Sequence, residues 1–175
     1  MSEVVFITGP SGAGKSTTAK ELTETQIETW ALISQDHIRT FIKAGYANPE
    51  AEWTGETKKQ WSVSIAICCD MAKRYHEAGI NCVIELFAPP TEFEKWKQYL
   101  DVLPYKLFVL LPDVEKTVYR NSNRKLPMKE EDVRENHEWF TEWKPSEATI
   151  IDTTDLSLDE SVEEISRCLR HGEQT

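Results

Sequence analysis

The chain has 175 residues, 39% of them hydrophobic, and a formal net charge of −10. That length fits one compact domain with a real core. No apolar run approaches the about 20 residues of a membrane span, and the acidic balance disfavours a broad nucleic-acid or anionic-membrane surface, which clustered Lys and Arg would have to supply.

Val4–Thr8 predicts a short buried strand, with no basic segment ahead of an apolar stretch as in a secretory signal. A glycine-rich turn follows, and Lys15–Thr25 predicts a helix with Ala19 and Leu22 inward. Ala31–Ser34 predicts a second strand that runs out at Gln35 and Asp36, ahead of a short helix over His37–Lys43. Gly45–Gly55, with Pro49, reads as a loop. From about Glu56 to Ala78, Trp61, Ile65, Cys68, Ala72 and Tyr75 recur at three- and four-residue steps, predicting a long helix with one buried face. Gly79 stands where a left-handed cap belongs.

Asn81–Phe87 (NCVIELF) predicts a buried strand closed by Pro89 and Pro90. Thr91–Glu94 (TEFE) reads as a capping box that starts a helix with Phe93, Trp96 and Leu100 on one face. Lys106–Leu111 predicts a strand, and Pro112-Asp113 opens a helix through roughly Arg124. Lys125–Asp132 is polar and turn-like, and a tryptophan-bearing helix runs from there to about Trp143. Ala148–Ile151 predicts the last strand. Ser157–Glu160 (SLDE) is a second capping box, leading a helix marked by Val162, Ile165 and Leu169 and a polar tail from His171 to Thr175.

Five strands alternating with helices imply an α/β fold, a parallel sheet covered on both faces. No repeat or linker interrupts it, so residues 1–175 read as one domain. Cys68, Cys69, Cys82 and Cys168 show no CxxC spacing and no Cys/His ligand pattern, which predicts reduced thiols in a cytoplasmic protein, monomeric or homodimeric.

Gly9-Pro10-Ser11-Gly12-Ala13-Gly14-Lys15-Ser16 fits the G-x-x-x-x-G-K-[ST] phosphate-binding loop at every fixed position. Glycines let the backbone curl so that its amides converge, and the helix beginning at Lys15 adds its positive end. Lys15 can reach terminal phosphates, the Ser16 hydroxyl can ligate Mg²⁺, and Thr17 can contact a phosphate beside it. Chance matches in ordinary glycine turns are rare, and this one lies between a strand and a helix. A local cation in an amide nest also explains how an acidic chain takes up a polyanion.

The loop serves several enzyme classes. The D-x-x-G and N-K-x-D of regulatory GTPases are absent. Of the acidic residues near strand ends, Asp113 follows a proline and reads as a helix N-cap, Asp152 leaves the last strand, and Glu85 is the best candidate to face metal and water. Asp36 and Arg39 lie one helical turn apart beyond the second strand, where open α/β sheets bind ligands. Asp36 can orient and deprotonate an acceptor hydroxyl, and Arg39 can grip a substrate anion or the transferring group. By themselves they would read as a helix cap and a surface arginine. Arg120 and Arg124, spaced i and i+4 near a helix end, can reach a phosphoryl group from a lid over about residues 120–132. The acceptor-site region reads as residues 36–57, where Trp53 and Tyr46 could stack on a ring or sugar. Trp61 and Trp96 read as core, and the lone histidines His37 and His137 as structural.

With these pieces the chain resembles the small P-loop kinases related to adenylate, shikimate and gluconate kinases. It is most similar to the branch of chloramphenicol phosphotransferase, zeta toxin and the kinase domain of polynucleotide kinase. The matching residues are GPSGAGKST, Asp36 and Arg39, the V-I-E ending at Glu85, LLPD ahead of Arg120 and Arg124, and IIDTTDLSLDE. The resemblance implies a P-loop three-layer α/β/α sandwich with strand order 2-3-1-4-5, Mg-ATP as phosphoryl donor, and Asp36 as base. It also implies that Asp152–Thr154, with Asp152 and Thr153 as contacts, pass near the adenine, that Arg120 borders it or the phosphates, and that Glu85 contacts substrate or metal-bound water. The expected activity is transfer of the γ-phosphoryl of ATP to a hydroxyl of a sugar, antibiotic-like molecule or other metabolite. A nucleoside, nucleotide or polynucleotide acceptor and a non-catalytic nucleotide-binding module are the alternatives.

Overall fold

The structure, a computed structural model, describes residues 2–49, 51–100, 103–143 and 145–171. Five strands, β1 (Val4–Thr8), β2 (Trp30–Ser34), β3 (Asn81–Glu85), β4 (Lys106–Leu110) and β5 (Ala148–Ile151), form one parallel sheet in the order β2-β3-β1-β4-β5. This is the expected order. Its central strand has helices on both faces, so all five residues of β1 are buried. Val4 and Phe6 enter one core layer, Val5 and Ile7 the other.

Seven helices complete the described fold: α1 (Lys15–Glu24), α2 (Gln35–Arg39), α3 (Gly55–Glu77), α4 (Pro90–Leu100), α5 (Val114–Ser122), α6 (Glu130–Glu142) and α7 (Leu158–His171). Ala19 and Leu22 of α1 share a core with Val162, Ile165 and Leu169 of α7. The opposite face carries Trp61, Ile65, Cys68 and Ala72 of α3 with Phe93, Trp96 and Leu100 of α4. These are the faces that the helical spacing predicts. Gly79 has φ 73° just after the C-cap of α3, and Ser157 and Glu160 exchange side-chain to backbone bonds as a capping box.

Several boundaries move. The helix after β3 starts at Pro90, with the Pro89 carbonyl accepting from the amides of Glu92 and Phe93. A proline is pre-set for the first helical position, so Thr91 lies inside the helix, past the capping position. Thr54 instead caps α3 in a reciprocal box with Thr57. Asp36 sits in the first turn of α2, two residues past β2. α5 stops at Ser122, short of Arg124, because the Ser122 hydroxyl and the Asn123 amide both bond back to the Tyr119 carbonyl at 2.8 Å. Glu130–Asp132, expected in the turn, open α6. The tail beyond His171 lies outside the described residues.

The four cysteines are free thiols, and burial pushes those of Cys68, Cys69 and Cys82 up to about 12. Among the described residues no helix is long and apolar enough to cross a membrane.

Candidate active site

Residues 9–14 leave β1 and turn into α1 at the carboxyl edge of the sheet, and a cleft of about 920 Å³ opens there. Two glycines make the turn possible. A Cβ on Gly9 would strike the Leu110 carbonyl oxygen, and one on Gly12 would lie 2.5 Å from the Thr117 carbonyl oxygen; both residues have positive φ. The loop therefore packs directly on β4 and α5. Ser11, Gly12, Ala13, Gly14, Lys15, Ser16 and Thr17 all line the cleft. Gly9 supports the turn from behind and is not part of the lining.

The Lys15 ammonium donates to the Pro10 carbonyl at 3.0 Å and lies 5.8 Å from the centre of the Phe87 ring. The residue keeps some accessible surface, but protein atoms crowd its charged end. Burial pushes the ammonium below the ordinary lysine range; the charges of Glu85 and Asp36 pull the other way, and that of Arg124 adds to the lowering. Burial wins because, among the described residues, the ammonium's hydrogen bond is to a neutral carbonyl.

Glu85 closes β3 and is 4% exposed. One of its oxygens accepts from the Ser16 hydroxyl at 2.9 Å, the other from the Ser34 hydroxyl at 2.9 Å. Sheet register creates this arrangement, since Ser34 pairs with Glu85 across β2 and β3 and Ile7 pairs with it on the other side. A hydroxyl and a carboxylate thus meet at the first turn of α1. Among the described residues no group of three or more His, Cys, Asp or Glu is placed to hold a metal. The chain's oxygen donors here suit a hard cation that keeps waters and takes further oxygens from a phosphate, as Mg²⁺ does.

Asp36 and Arg39 meet as their spacing suggests: Arg39 Nη1 donates to Asp36 Oδ1 at 2.9 Å. Asp36 is 72% exposed and Arg39 only 8%. Arg39 Nη2 also donates to the Tyr46 hydroxyl at 2.5 Å, and the guanidinium lies 4.9 Å from the Trp61 ring centre. Trp53 meets Trp61 edge-on at 5.4 Å, and both line the cleft beside Phe87 and Trp139. Trp61 therefore belongs to core and cleft wall at once. Phe87 was findable from its place just past a strand's carboxyl end. Trp139 carried no such signal, because only tertiary packing brings α6 there, with Phe140 against Phe87 at 5.8 Å.

Arg120 and Arg124 reach the loop by separate routes. Arg120, in the last turn of α5, donates to the Thr153 carbonyl at 3.3 Å and approaches Gly14. Arg124, beyond the helix, donates to the Ser11 hydroxyl at 2.7 Å. Asn121 ties the intervening turn shut through the backbone of Met128. Thr153 lines the cleft; Asp152 does not. Asp152 is exposed, and its carboxyl is held below the usual range by bonds from the Thr154 hydroxyl and amide. His137 bonds the Pro112 carbonyl at 2.8 Å, a structural contact between α6 and the start of α5.

Residues 4–143 match the family AAA_33, described as an AAA domain. No curated protein matches the chain. Among solved structures it is similar to a tunicamycin resistance protein from Deinococcus radiodurans, at 18% identity over 97% of this chain and 96% of that one, with a TM-score of 0.74. It is similar to a sugar kinase from Janibacter sp. HTCC2649, at 18% identity over 97% and 95%, with a TM-score of 0.69. A shikimate kinase from Acinetobacter baumannii, in complex with shikimate, aligns at 16% identity over 100% and 97%, with a TM-score of 0.69. At these identities the likeness is one of fold.

Proposed function

For a chain that belongs to the AAA domain family AAA_33 and shares the fold of the small P-loop kinases, we propose ATP-dependent transfer of a phosphoryl group to a hydroxyl of a small molecule. The observation that carries this reading is the shared cleft of Lys15 and Asp36, close enough for the Asp36 charge to act on the Lys15 ammonium. A cation suited to phosphate and an accessible carboxylate then border one cleft, with room for phosphate and acceptor between its walls.

In this reading the amides of residues 11–17 and the Lys15 ammonium bind the β- and γ-phosphates. Mg²⁺ held by Ser16, with Glu85 behind it, would neutralise charge on those oxygens. Asp36 accepts the proton of the acceptor hydroxyl through its exposed carboxylate, and Arg39 fixes its direction. Arg120 and Arg124 approach from the opposite wall, with the turn after α5 as the lid and Thr153 towards the base. Trp53 and its neighbours supply the acceptor surface.

The test is Asp36→Asn, which keeps Mg-ATP binding by calorimetry and loses roughly 10²–10⁴-fold of acceptor-dependent ADP formation. Unchanged turnover removes Asp36 from the mechanism.

A further inference from the structure

We propose that the acceptor is an uncharged alcohol with a flat or cyclic face, and that Arg39 acts as a positioning residue for Asp36 with no anion to grip. This rests on the phosphotransfer reading above and names its substrate class.

Strand order divides the cleft. The β4–β5 side contributes Arg120, Arg124 and Thr153, and Lys15 stands at the centre. The β2–β3 side contributes Asp36, Arg39, Trp53, Trp61, Glu85 and Phe87. Among the lining residues of that second side, Arg39 is the one cation. Each of its terminal nitrogens already donates, one to Asp36 and one to Tyr46, and its face lies against Trp61. Its charge is matched by Asp36, and little of it meets solvent. Glu92, also in the lining, has its charge matched by Lys95 at 2.6 Å.

A phosphate or carboxylate on the acceptor would find on this wall only the Arg39 guanidinium, which is 8% exposed and already bonded to Asp36 and Tyr46. Such an anion would also approach the carboxylates of Asp36 and Glu85, at a cost that grows as the cleft excludes water. Uncharged rings meet a different surface. Trp53 is half exposed and braced edge-on by Trp61, and Phe87 continues the wall. The Trp61 indole N–H is buried and has no hydrogen-bond partner among the described residues. That nitrogen is out of reach of solvent, so Trp61 offers a bound ring its packing surface and no hydrogen bond.

The experiment uses matched acceptor pairs that differ by one anionic group: a nucleoside and its monophosphate, a hexose and its 6-phosphate, an aryl diol and its carboxylate. Binding is read by tryptophan emission and transfer by ADP formation with Mg-ATP. The uncharged member is expected to bind at least tenfold more tightly in at least one pair, with Trp53→Leu removing most of that preference. Arg39→Lys is expected to lower kcat towards the uncharged acceptor with little change in its KM, the mark of a displaced base. Tighter binding of the anionic members, a rise in their KM alone in Arg39→Lys, or failure of every uncharged member to bind overturns the proposal. Binding of an uncharged member without ADP formation sinks the kinase reading and leaves the subsite standing.

Discussion

Ser16 and Glu85 are joined at 2.9 Å, and this bond ties the first turn of α1 to the end of β3. The second Glu85 oxygen is held by Ser34, so the carboxylate is fixed from two sides. We expect Glu85→Gln to fold, because an amide retains the shape, and to require roughly 10–100-fold more Mg²⁺ for half-maximal turnover. Magnesium titration of ADP formation checks this. An unchanged midpoint would show that Glu85 is structural.

Lys15 imposes a cost on the ligand-free fold. Its pKa is lowered by burial, so the protonated form disfavours the folded state at every pH below the lowered value. That penalty fades only as pH rises towards the unfolded lysine value of about 10.4. Lys15→Met is thus expected to melt higher than the parent at neutral pH, by roughly 2–4 °C for each kcal/mol recovered. It should also lose the thermal shift given by Mg-ATP. A lower melting point would contradict the assignment of burial as the dominant influence.

The buried thiols give a chemical prediction. Cys68, Cys69 and Cys82 stay protonated at neutral pH, and Cys168 is only half-buried. A chromogenic disulfide reagent should titrate one thiol in the folded protein and four in denaturant, with Cys168→Ser silent until unfolded. The same shifts make stability fall as pH climbs from the unfolded thiol value of about 8.5 towards 12, since only the unfolded chain releases those protons. Rapid modification of more than one folded thiol would refute the packing.

The glycine-rich turn was legible because its geometry leaves few alternatives at each position, and the buried helix faces because their period is set by the helix itself. Asp36 and Arg39 were legible as neighbours for the same reason. Their surroundings were not. The partners of Arg39 come from Tyr46 and Trp61, outside its helix. The Ser34–Glu85 contact depends on strand register, and strands buried on both faces carry little alternation to reveal it. Arg124 reached the loop although its expected helix ended early, so the i and i+4 argument reached the right region by a route the chain does not take. Asp152, placed near the nucleotide by family resemblance, is occupied with Thr154 and lies outside the cleft lining.

Gly12 offers a last test. Its φ of 92° strains any other residue by about 1–2 kcal/mol, and a methyl group would collide with the Thr117 carbonyl. Gly12→Ala is expected to lower stability by about 2–4 kcal/mol in a denaturant melt and to weaken nucleotide binding by calorimetry. Parent-like values in both would mean that the loop has slack.

Without such slack, the hinge between grasp and anchor disappears. The glycine-rich bend touches the helix that ends in Arg120, with no side chain between them as a cushion, and Arg124 just past that helix bonds the bend directly. On the proposed reading, a phosphate seated in the bend would press on that helix directly, so seating of the donor and placement of the two arginines would be a single mechanical event.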